Sequence, residues 1–262
     1  WELSKFVRCR MEQTDSESQM IDMYQLWYNK QNGGKVLPTK TPSQAKRFEG
    51  ATVIDPVAGV YDNAFVLDLE RIYPSIILSA NISPETIISD QKADGDFVVF
   101  SNGVRFSKQE GFSPAVLKRL FEVEAYFKQE MRKYQMGTPE YDRARRTAQF
   151  TKDIRNSFYG VLAYEGARCY VPEAGACITL MGREILDWCV GKAKEKGYTI
   201  ISGDTDSLMV LGKSADAAGI IQEALALKEF INASFDEFAA KYNITKHYFR
   251  IDYKQTFMPF MI

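Results

Sequence analysis

The sequence predicts an α+β fold in which an antiparallel sheet is backed by helices and carries an inserted antiparallel two-helix hairpin. Three observations predict it: a short apolar run at 64–69, two long helical stretches between 113 and 160, and a hairpin pattern at 199–211. The 262 residues suffice for one to two domains, since a domain averages about 150 residues. A hydrophobic fraction of 45% is enough for a packed core, which excludes a disordered chain.

The N-terminal part predicts one amphipathic helix over 16–30, which ends at Gly33-Gly34. Its apolar positions recur at helical spacing: Met20, Met23, Tyr24 and Trp27. The stretch 35–59 is rich in Pro, Lys, Thr and Gly without a period, which predicts an extended connector. The run AFVLDL at 64–69 is typical of a buried strand, although Asp68 interrupts it.

The middle of the chain predicts the helical hairpin. Ser113 and Pro114 resemble a helix cap and a first-turn proline, and the following stretch favours a helix to Tyr134. The sequence Gly137-Thr138-Pro139 then predicts a break and the start of a second helix, which continues to about Tyr159.

The C-terminal part returns to a mixture of helices and strands. A third long helix is predicted from Pro172 to Gly197, and TIISGDTDSLMVL at 199–211 predicts a β-hairpin around a short Gly-Asp turn. A fourth helix is expected over 214–242, followed by a final strand pair near 248–262.

Charge and cysteine content restrict the function classes. With 33 Lys and Arg against 34 Asp and Glu, the net charge of −1 predicts that any nucleic-acid binding depends on local clusters of cations. The four cysteines form no C-x-x-C pair, which favours reduced thiols, and no apolar run reaches the roughly 20 residues of a membrane span. We therefore expect a cytoplasmic or nucleoid-associated protein, with a virus-encoded source also compatible. Trp1 and the strand-like ending FMPFMI predict a piece of a longer or split protein.

Three aspartates are the first candidate site. Asp68 interrupts an apolar strand, and Asp204 and Asp206 lie at the tip of the predicted hairpin. Each could instead cap a turn or pair with a lysine. If the strand and the hairpin are neighbours, Asp68 and Asp206 converge at one sheet edge and form a divalent-cation site. Two Mg²⁺ ions at such an edge suit phosphoryl or nucleotidyl transfer.

A polar stripe on the second hairpin helix is the other candidate site. Its members follow each other by four, three, four and three positions and therefore share one helical face: Arg145, Gln149, Lys152, Asn156 and Tyr159. A solvated face is the alternative. Lys128 on the first hairpin helix could add charge, or it could simply pair with Glu124 four positions earlier.

Three segments resemble the polymerase motifs of family B DNA polymerases. They are DLERIYPSII at 68–77, KDIRNSFYG at 152–160 and SGDTDS at 202–207, in the order of that family. NISPET at 81–86, GFSP at 111–114 and IDYKQTFMPF at 251–260 resemble the flanking stretches. The resemblance implies a DNA-directed DNA polymerase core, with palm at 1–110 and 163–262 and fingers at 111–162.

The resemblance also implies the roles of individual residues. The catalytic residues would be Asp68, Asp206 and, in a lesser role, Asp204, and the metal ligands would be Asp68, Leu69 and Asp206. The nucleotide would be bound by Leu69, Glu70, Arg71, Ile72, Tyr73, Lys128, Lys152, Asn156, Tyr159 and Gly160, with Tyr73 excluding a 2′-hydroxyl. The cofactors would be two Mg²⁺ ions, for which Mn²⁺ can substitute. The implied partners are primer-template DNA, dNTP, and the thumb and exonuclease regions of a parent chain or split subunit.

Four positions depart from the motifs of the family. Arg71 replaces a serine and Ser202 a tyrosine, Glu124 stands where an arginine commonly contacts the triphosphate, and Lys254 where an acidic residue is often found. Arg119 or Arg145 could replace the missing cation. These departures leave open an alternative, a catalytically inactive polymerase-like module that binds nucleic acid or serves in assembly. If the chain is a polymerase piece, we expect weak synthesis by it alone.

Overall fold

The computed structural model describes residues 16–32, 48–90 and 92–261. These residues form two compact units. The first contains the described residues up to Phe48 together with Asn81–Asp94 and Phe106–Gly175, and the second contains Glu49–Ala80, Gly95–Arg105 and the described residues from Ala176 onward. Both units are therefore built from segments that are separated along the chain.

The helices and strands come partly in runs along the chain, as in an α+β fold: three strands follow each other over 53–69 and three long helices over 112–195. The helices are α1 (Glu17–Gln31), α2 (Ile72–Ser79), α3 (Phe112–Met131), α4 (Pro139–Ala163), α5 (Pro172–Glu195) and α6 (Ala217–Ala240), with a 3₁₀ turn at Pro84–Thr86. The strands are β1 (Val53–Ile54), β2 (Val60–Tyr61), β3 (Ala64–Leu69), β4 (Phe97–Val99), β5 (Arg105–Ser107), β6 (Thr199–Asp204), β7 (Ser207–Leu211), β8 (Ile251–Phe257) and β9 (Phe260–Met261).

The second unit is built on a five-stranded sheet in the order β1-β6-β7-β3-β8. Every neighbouring pair in it is antiparallel, as the sequence predicts. Strand β3 has a neighbour on each side, and every residue in it except Asp68 is buried. Helices α5 and α6 supply further core side chains, and the indole nitrogen of Trp188 on α5 donates to Ser234 Oγ on α6 at 2.9 Å.

The first unit contains the predicted pair of long helices, and α3 begins differently from the prediction. Its N-cap is Gly111, and Ser113 lies inside the first turn. Side chains of the preceding NISPET segment accept the hydrogen bonds of three amides here: Gly111 N donates to Asn81 Oδ1, Phe112 N to Glu85 Oε1 and Ser113 N to Ser83 Oγ. Because these distant acceptors cap the helix, the local cap predicted at Ser113 was wrong.

Of three further helix boundaries in this unit, one agrees with the prediction and two differ from it. Helix α3 ends at Met131, three residues before the predicted Tyr134. Helix α4 begins as predicted, because Thr138 is its N-cap and accepts a hydrogen bond from Tyr141 N at 3.3 Å. It then continues to Ala163, beyond the predicted end at Tyr159.

Two predictions for the strands were wrong. The hairpin turn lies at Thr205-Asp206, whereas Gly203 and Asp204 belong to β6, because Thr205 adopts the left-handed conformation with φ 51°. The final strands do not pair with each other: β8 pairs with β3, and β9 pairs with β2. The apolar patterns predicted that these strands exist, but pairing partners depend on contacts that are remote in sequence.

Several sequence predictions concern residues outside the described ranges. These are Cys9, the helix end at Gly33-Gly34 and most of the connector, up to Arg47. Cys169, Cys177 and Cys189 are free and buried. Among the described residues, no helix combines the length and the apolar character that a membrane span requires.

Candidate active site

Asp68 lies in a row of residues that crosses the whole five-stranded sheet. Antiparallel pairing places Asp68 opposite Ser207 on β7 and Asp252 on β8. The same row continues from Ser207 to Asp204 on β6 and then to Val53 on β1. Residues directly opposite each other project from the same face of a sheet, so this end of the sheet presents three aspartates on one face.

The β6–β7 turn holds Asp206 beside the end of β3. The amide of Leu69 donates to the carbonyl oxygen of Asp206 at 2.6 Å, and the amide of Asp206 donates to the carbonyl oxygen of Asp204 at 2.5 Å. Thr205 provides the left-handed residue that a two-residue turn requires, and its hydroxyl donates to Asp204 Oδ1 at 2.9 Å. Asp206 is therefore fixed by main-chain bonds on both sides of the turn.

The charges of Asp68 and Asp206 affect each other. Partial burial raises the pKa of the Asp206 carboxyl, and the negative charge of Asp68 raises it further. The positive charge of Lys254 lowers the pKa of Asp206. The ammonium nitrogen of Lys254 lies 2.9 Å from Asp68 Oδ1. The pKa of Lys254 is itself raised by the hydrogen bond to Asp68 and the attraction of its charge. Two carboxylates that repel each other, balanced by one lysine, form a site with affinity for additional cations.

The oxygen ligands of this site fit a hard divalent cation. The two carboxylates and the main-chain carbonyl of Leu69 would offer oxygen ligands, which Mg²⁺ prefers. Within the described part of the chain, no group of three or more His, Cys, Asp or Glu side chains is arranged to hold a metal ion. A cation between Asp68 and Asp206 would thus need ligands from water or a bound phosphate, and Mg²⁺ sites in phosphate-transferring proteins are commonly completed in this way.

The segment between β3 and α2 carries the remaining site residues of this unit. Arg71 is the N-cap of α2 with φ 55°, a left-handed conformation that turns the chain sharply after the strand. The amides of Leu69 and Glu70 are bound to carbonyl oxygens of Asp206 and Arg250, so these two amides are engaged within the unit. Ile72, the first residue of α2, is buried.

Tyr73 stands close to the acidic residues. The Tyr73 side chain is half-buried, and its pKa is raised by burial first and then by the charge of Asp206, while Arg183 on α5 opposes the shift. A Cβ atom at Gly182, also on α5, would lie 3.5 Å from the Tyr73 ring. Helix α5 therefore limits the space on one side of this ring.

The polar stripe lies along one face of α4, as its spacing predicts, and most of that face is exposed. Arg145, Gln149, Lys152, Asn156 and Gly160 are exposed, and Tyr159 is intermediate. Thr151, Ile154, Arg155 and Phe158 on the opposite face are buried. The stripe belongs to the first unit and the aspartates to the second.

Glu124 and Lys128 form the i,i+4 pair that the sequence analysis left as an alternative. The ammonium nitrogen of Lys128 lies 2.7 Å from Glu124 Oε1. Glu124 is buried and also accepts a hydrogen bond from the guanidinium of Arg155. Of the two cations considered as replacements for a triphosphate arginine, Arg119 binds Glu122 at 2.9 Å and Arg145 lies 3.7 Å from Asp142.

Sequence reasoning missed Arg155. Its side chain is 1% exposed although it lies inside the second motif-like segment, KDIRNSFYG. Its position in the sequence could have indicated its burial. Arg155 follows Thr151 by four residues and precedes Phe158 by three, which places it on the buried face of α4. A charged residue at such a position requires a buried partner, and Glu124 is that partner.

The chain resembles archaeal DNA polymerases in sequence. The sequence model of DNA polymerase family B matches residues 7–251. "DNA polymerase 2" of Aeropyrum pernix is 32% identical over 181 residues, which are 68% of this chain and 22% of that protein. "DNA polymerase" of Archaeoglobus fulgidus is 30% identical over 213 residues, 80% of this chain and 27% of that protein. The chain thus spans about a quarter of the length of these relatives.

A solved polymerase structure is also similar to this chain. The family B DNA polymerase from the hyperthermophilic archaeon Pyrobaculum calidifontis is similar to this chain with a TM-score of 0.72 and 29% sequence identity. The similarity covers 98% of this chain and 32% of that polymerase. Because the family model matches nearly the whole sequence, this chain belongs to DNA polymerase family B.

Proposed function

We propose that the chain is the nucleotidyl-transfer core of a DNA-directed DNA polymerase, comprising palm and fingers. The observation that carries the proposal is the placement of Asp206, in the β6–β7 turn, beside the end of β3 that carries Asp68, where the charge of Asp68 raises the pKa of Asp206. The substrates would be a dNTP and the 3′-hydroxyl of a primer paired with a DNA template. The thumb and exonuclease functions would come from other parts of a whole polymerase.

In the proposed reaction the primer 3′-oxygen attacks the α-phosphorus of the dNTP. A phosphodiester bond forms, the bond between the α-phosphorus and the oxygen that bridges to the β-phosphate breaks, the hydroxyl proton passes to solvent water and pyrophosphate leaves. Two bound Mg²⁺ ions, or Mn²⁺ in their place, would supply activation of the hydroxyl and stabilisation of the leaving oxygen. Asp68 and Asp206 would hold the ions together with the Leu69 carbonyl, and Asp204 would add negative charge nearby.

The other residues would bind and orient the nucleotide. The main chain from Leu69 to Tyr73 would approach the triphosphate and sugar, with the Tyr73 ring packed below the sugar. Lys152 and Asn156 would hold the triphosphate, and Lys128 would assist them. The exposure of these three polar side chains supports the assignment. Tyr159 and Gly160 would line the nascent base pair, since an aromatic ring stacks on any base.

Primer extension by the whole natural protein tests the proposal. The variants Asp68→Asn and Asp206→Asn should each lose about a thousandfold in rate, the scale of several kcal/mol of lost charge stabilisation. Asp62→Asn is the matched control, because Asp62 is exposed and lies just before β3. Near-normal extension by either site variant, with the control also active, contradicts the assignment.

One observation favours the alternative of a polymerase-like module without catalysis. The ammonium nitrogen of Lys254 lies 2.9 Å from Asp68 Oδ1, so its charge offsets part of the negative charge that would attract a divalent cation. Calorimetric titration with Mg²⁺ and dNTP in the presence of primer-template separates the two functions. The polymerase binds nucleotide in a metal-dependent manner, whereas the inactive module does not.

A further inference from the structure

A continuous polar network joins α3 and α4 within the first unit. Lys128 contacts Glu124, Glu124 contacts Arg155, and Arg155 contacts Asn156. The two central members, Glu124 and Arg155, have side chains only 4% and 1% exposed. The two outer members, Lys128 and Asn156, are the ones for which nucleotide contacts are proposed above.

Arg155 is fixed by contacts in three directions. Its Nη1 atom donates to Glu124 Oε2, and its Nε and Nη2 atoms lie 3.4 Å and 3.1 Å from Asn156 Oδ1. The guanidinium carbon also lies 4.7 Å from the centre of the Phe121 ring on α3. A guanidinium that is paired, hydrogen-bonded and stacked in this way has little freedom to reorient.

These contacts determine which side of the Asn156 amide is presented outward. A guanidinium has donors only, so the atom of Asn156 that faces Arg155 must be the acceptor Oδ1. The amide NH₂ group therefore points away from Arg155, and Asn156 is exposed. An exposed pair of N–H donors suits an anion such as a phosphate oxygen and is unsuited to a metal cation.

We propose that Arg155, anchored by Glu124, is a positioning residue that orients the Asn156 amide toward the triphosphate of the incoming nucleotide. Arg155 is too deeply buried to touch the substrate and acts through Asn156. The inference rests on the polymerase function proposed above and specifies how this chain arranges its phosphate-binding helix. It also gives Glu124, which stands where the resemblance expected a cation, a function in the same network.

A buried ion pair can also be merely structural, and replacing both partners separates the two roles. Loss of Arg155 alone leaves the Glu124 carboxylate buried with only Lys128, which destabilises the fold. Replacing both, as in Glu124→Leu with Arg155→Met, removes both buried charges and is expected to restore the melting temperature. A purely structural pair predicts that nucleotide binding recovers together with stability. A positioning role predicts that it does not.

The test measures dNTP KM and kcat in primer extension by the whole natural protein, with thermal denaturation of each variant. We expect the double variant to melt near the unmodified protein yet to show KM raised about tenfold, with kcat little changed. Arg146→Met is the matched control, since Arg146 is exposed on the same helix, and its KM should not change. A double variant that is stable and has the same KM as the unmodified protein overturns the inference.

A double-mutant cycle tests whether Arg155 acts through Asn156. In the Asn156→Ala background, the stable replacement Glu124→Leu with Arg155→Met should raise KM no further, because the oriented group is already absent. If the increases in KM simply multiply when the substitutions are combined, the inference is overturned while the polymerase function stays intact. An unmodified protein that binds no dNTP in the presence of Mg²⁺ and primer-template overturns the proposed function and with it this inference.

Discussion

The ammonium nitrogen of Lys254 on β8 lies 2.9 Å from Oδ1 of Asp68 on β3. The pKa of Lys254 is raised by this hydrogen bond and by the charge of Asp68, so the lysine stays charged at neutral pH. Its charge also lowers the pKa of Asp206, which burial and Asp68 raise. At the proposed metal site we therefore expect Lys254 to compete with a divalent ion for these carboxylates.

Replacing Lys254 should strengthen divalent-cation binding. The variant Lys254→Met removes the competing charge, and we expect the Mg²⁺ dissociation constant at neutral pH to fall about tenfold, equivalent to roughly 1.4 kcal/mol. Isothermal titration calorimetry measures it directly. Lys246→Met is the control, because Lys246 is an exposed lysine of the same unit. Weaker Mg²⁺ binding by Lys254→Met would show that the lysine supports the site and does not compete there.

The raised pKa of Asp206 predicts how stability depends on pH without metal. The folded protein holds this proton more tightly than the unfolded chain does, relative to the ordinary value of 3.8. The stabilising contribution is therefore complete below that value and is lost as the pH rises through the raised pKa. At neutral pH the metal-free protein retains the repulsion between Asp68 and Asp206.

Asp206→Asn should therefore stabilise the metal-free protein at neutral pH. We expect its melting temperature in EDTA to rise by about 1–3 °C, because the substitution removes the repulsion of Asp68. The same variant should lose the increase that Mg²⁺ gives the unmodified protein, since one ligand is absent. Scanning calorimetry with and without Mg²⁺ measures both effects. A lower melting temperature in EDTA together with an unchanged response to Mg²⁺ would contradict this account of the site.

Asn81 should contribute strongly to the stability of the first unit. It is left-handed with φ 54°, its Nδ2 donates to the carbonyl oxygens of Ser107 and Gln109 at 2.6 Å each, and its Oδ1 accepts from Gly111 N. Asn81→Ala should lower the free energy of unfolding by about 2–3 kcal/mol in urea denaturation. Asn81→Gly keeps the left-handed backbone conformation accessible and should lower the free energy of unfolding by about 1 kcal/mol less than Asn81→Ala does. Equal stability of Asn81→Ala and the unmodified protein would rule out this role.

Local sequence patterns predicted the elements better than their connections. The apolar run at 64–69 became β3, and Thr138-Pro139 became the start of α4, because strand burial and capping depend on neighbouring residues. The hairpin turn was predicted two residues too early, since glycine is the usual left-handed residue and here Thr205 takes that conformation. The start of α3 was misplaced because its capping side chains lie up to 30 positions earlier in the chain.

The same limit applies to the candidate site, where local patterns predicted the features of one helix but not the pairing of distant residues. The shared face of Lys152 and Asn156 followed from helical spacing, which one helix alone determines. The pairing of Arg155 with Glu124 joins residues 31 positions apart, and the pairing of Lys254 with Asp68 joins residues 186 apart. Such partners are chosen by tertiary packing, so a pattern on either segment could indicate a charged residue but not its partner.

The central claim is that Asp68 and Asp206 together hold the divalent cations of a nucleotidyl-transfer site. Anomalous scattering from crystals of the whole natural protein, grown with Mn²⁺, a primer-template and a non-hydrolysable dNTP analogue, tests it most directly. We predict anomalous density within ligand distance of both carboxylates and of the nucleotide triphosphate. Density at neither aspartate, with the nucleotide bound elsewhere, would contradict the account.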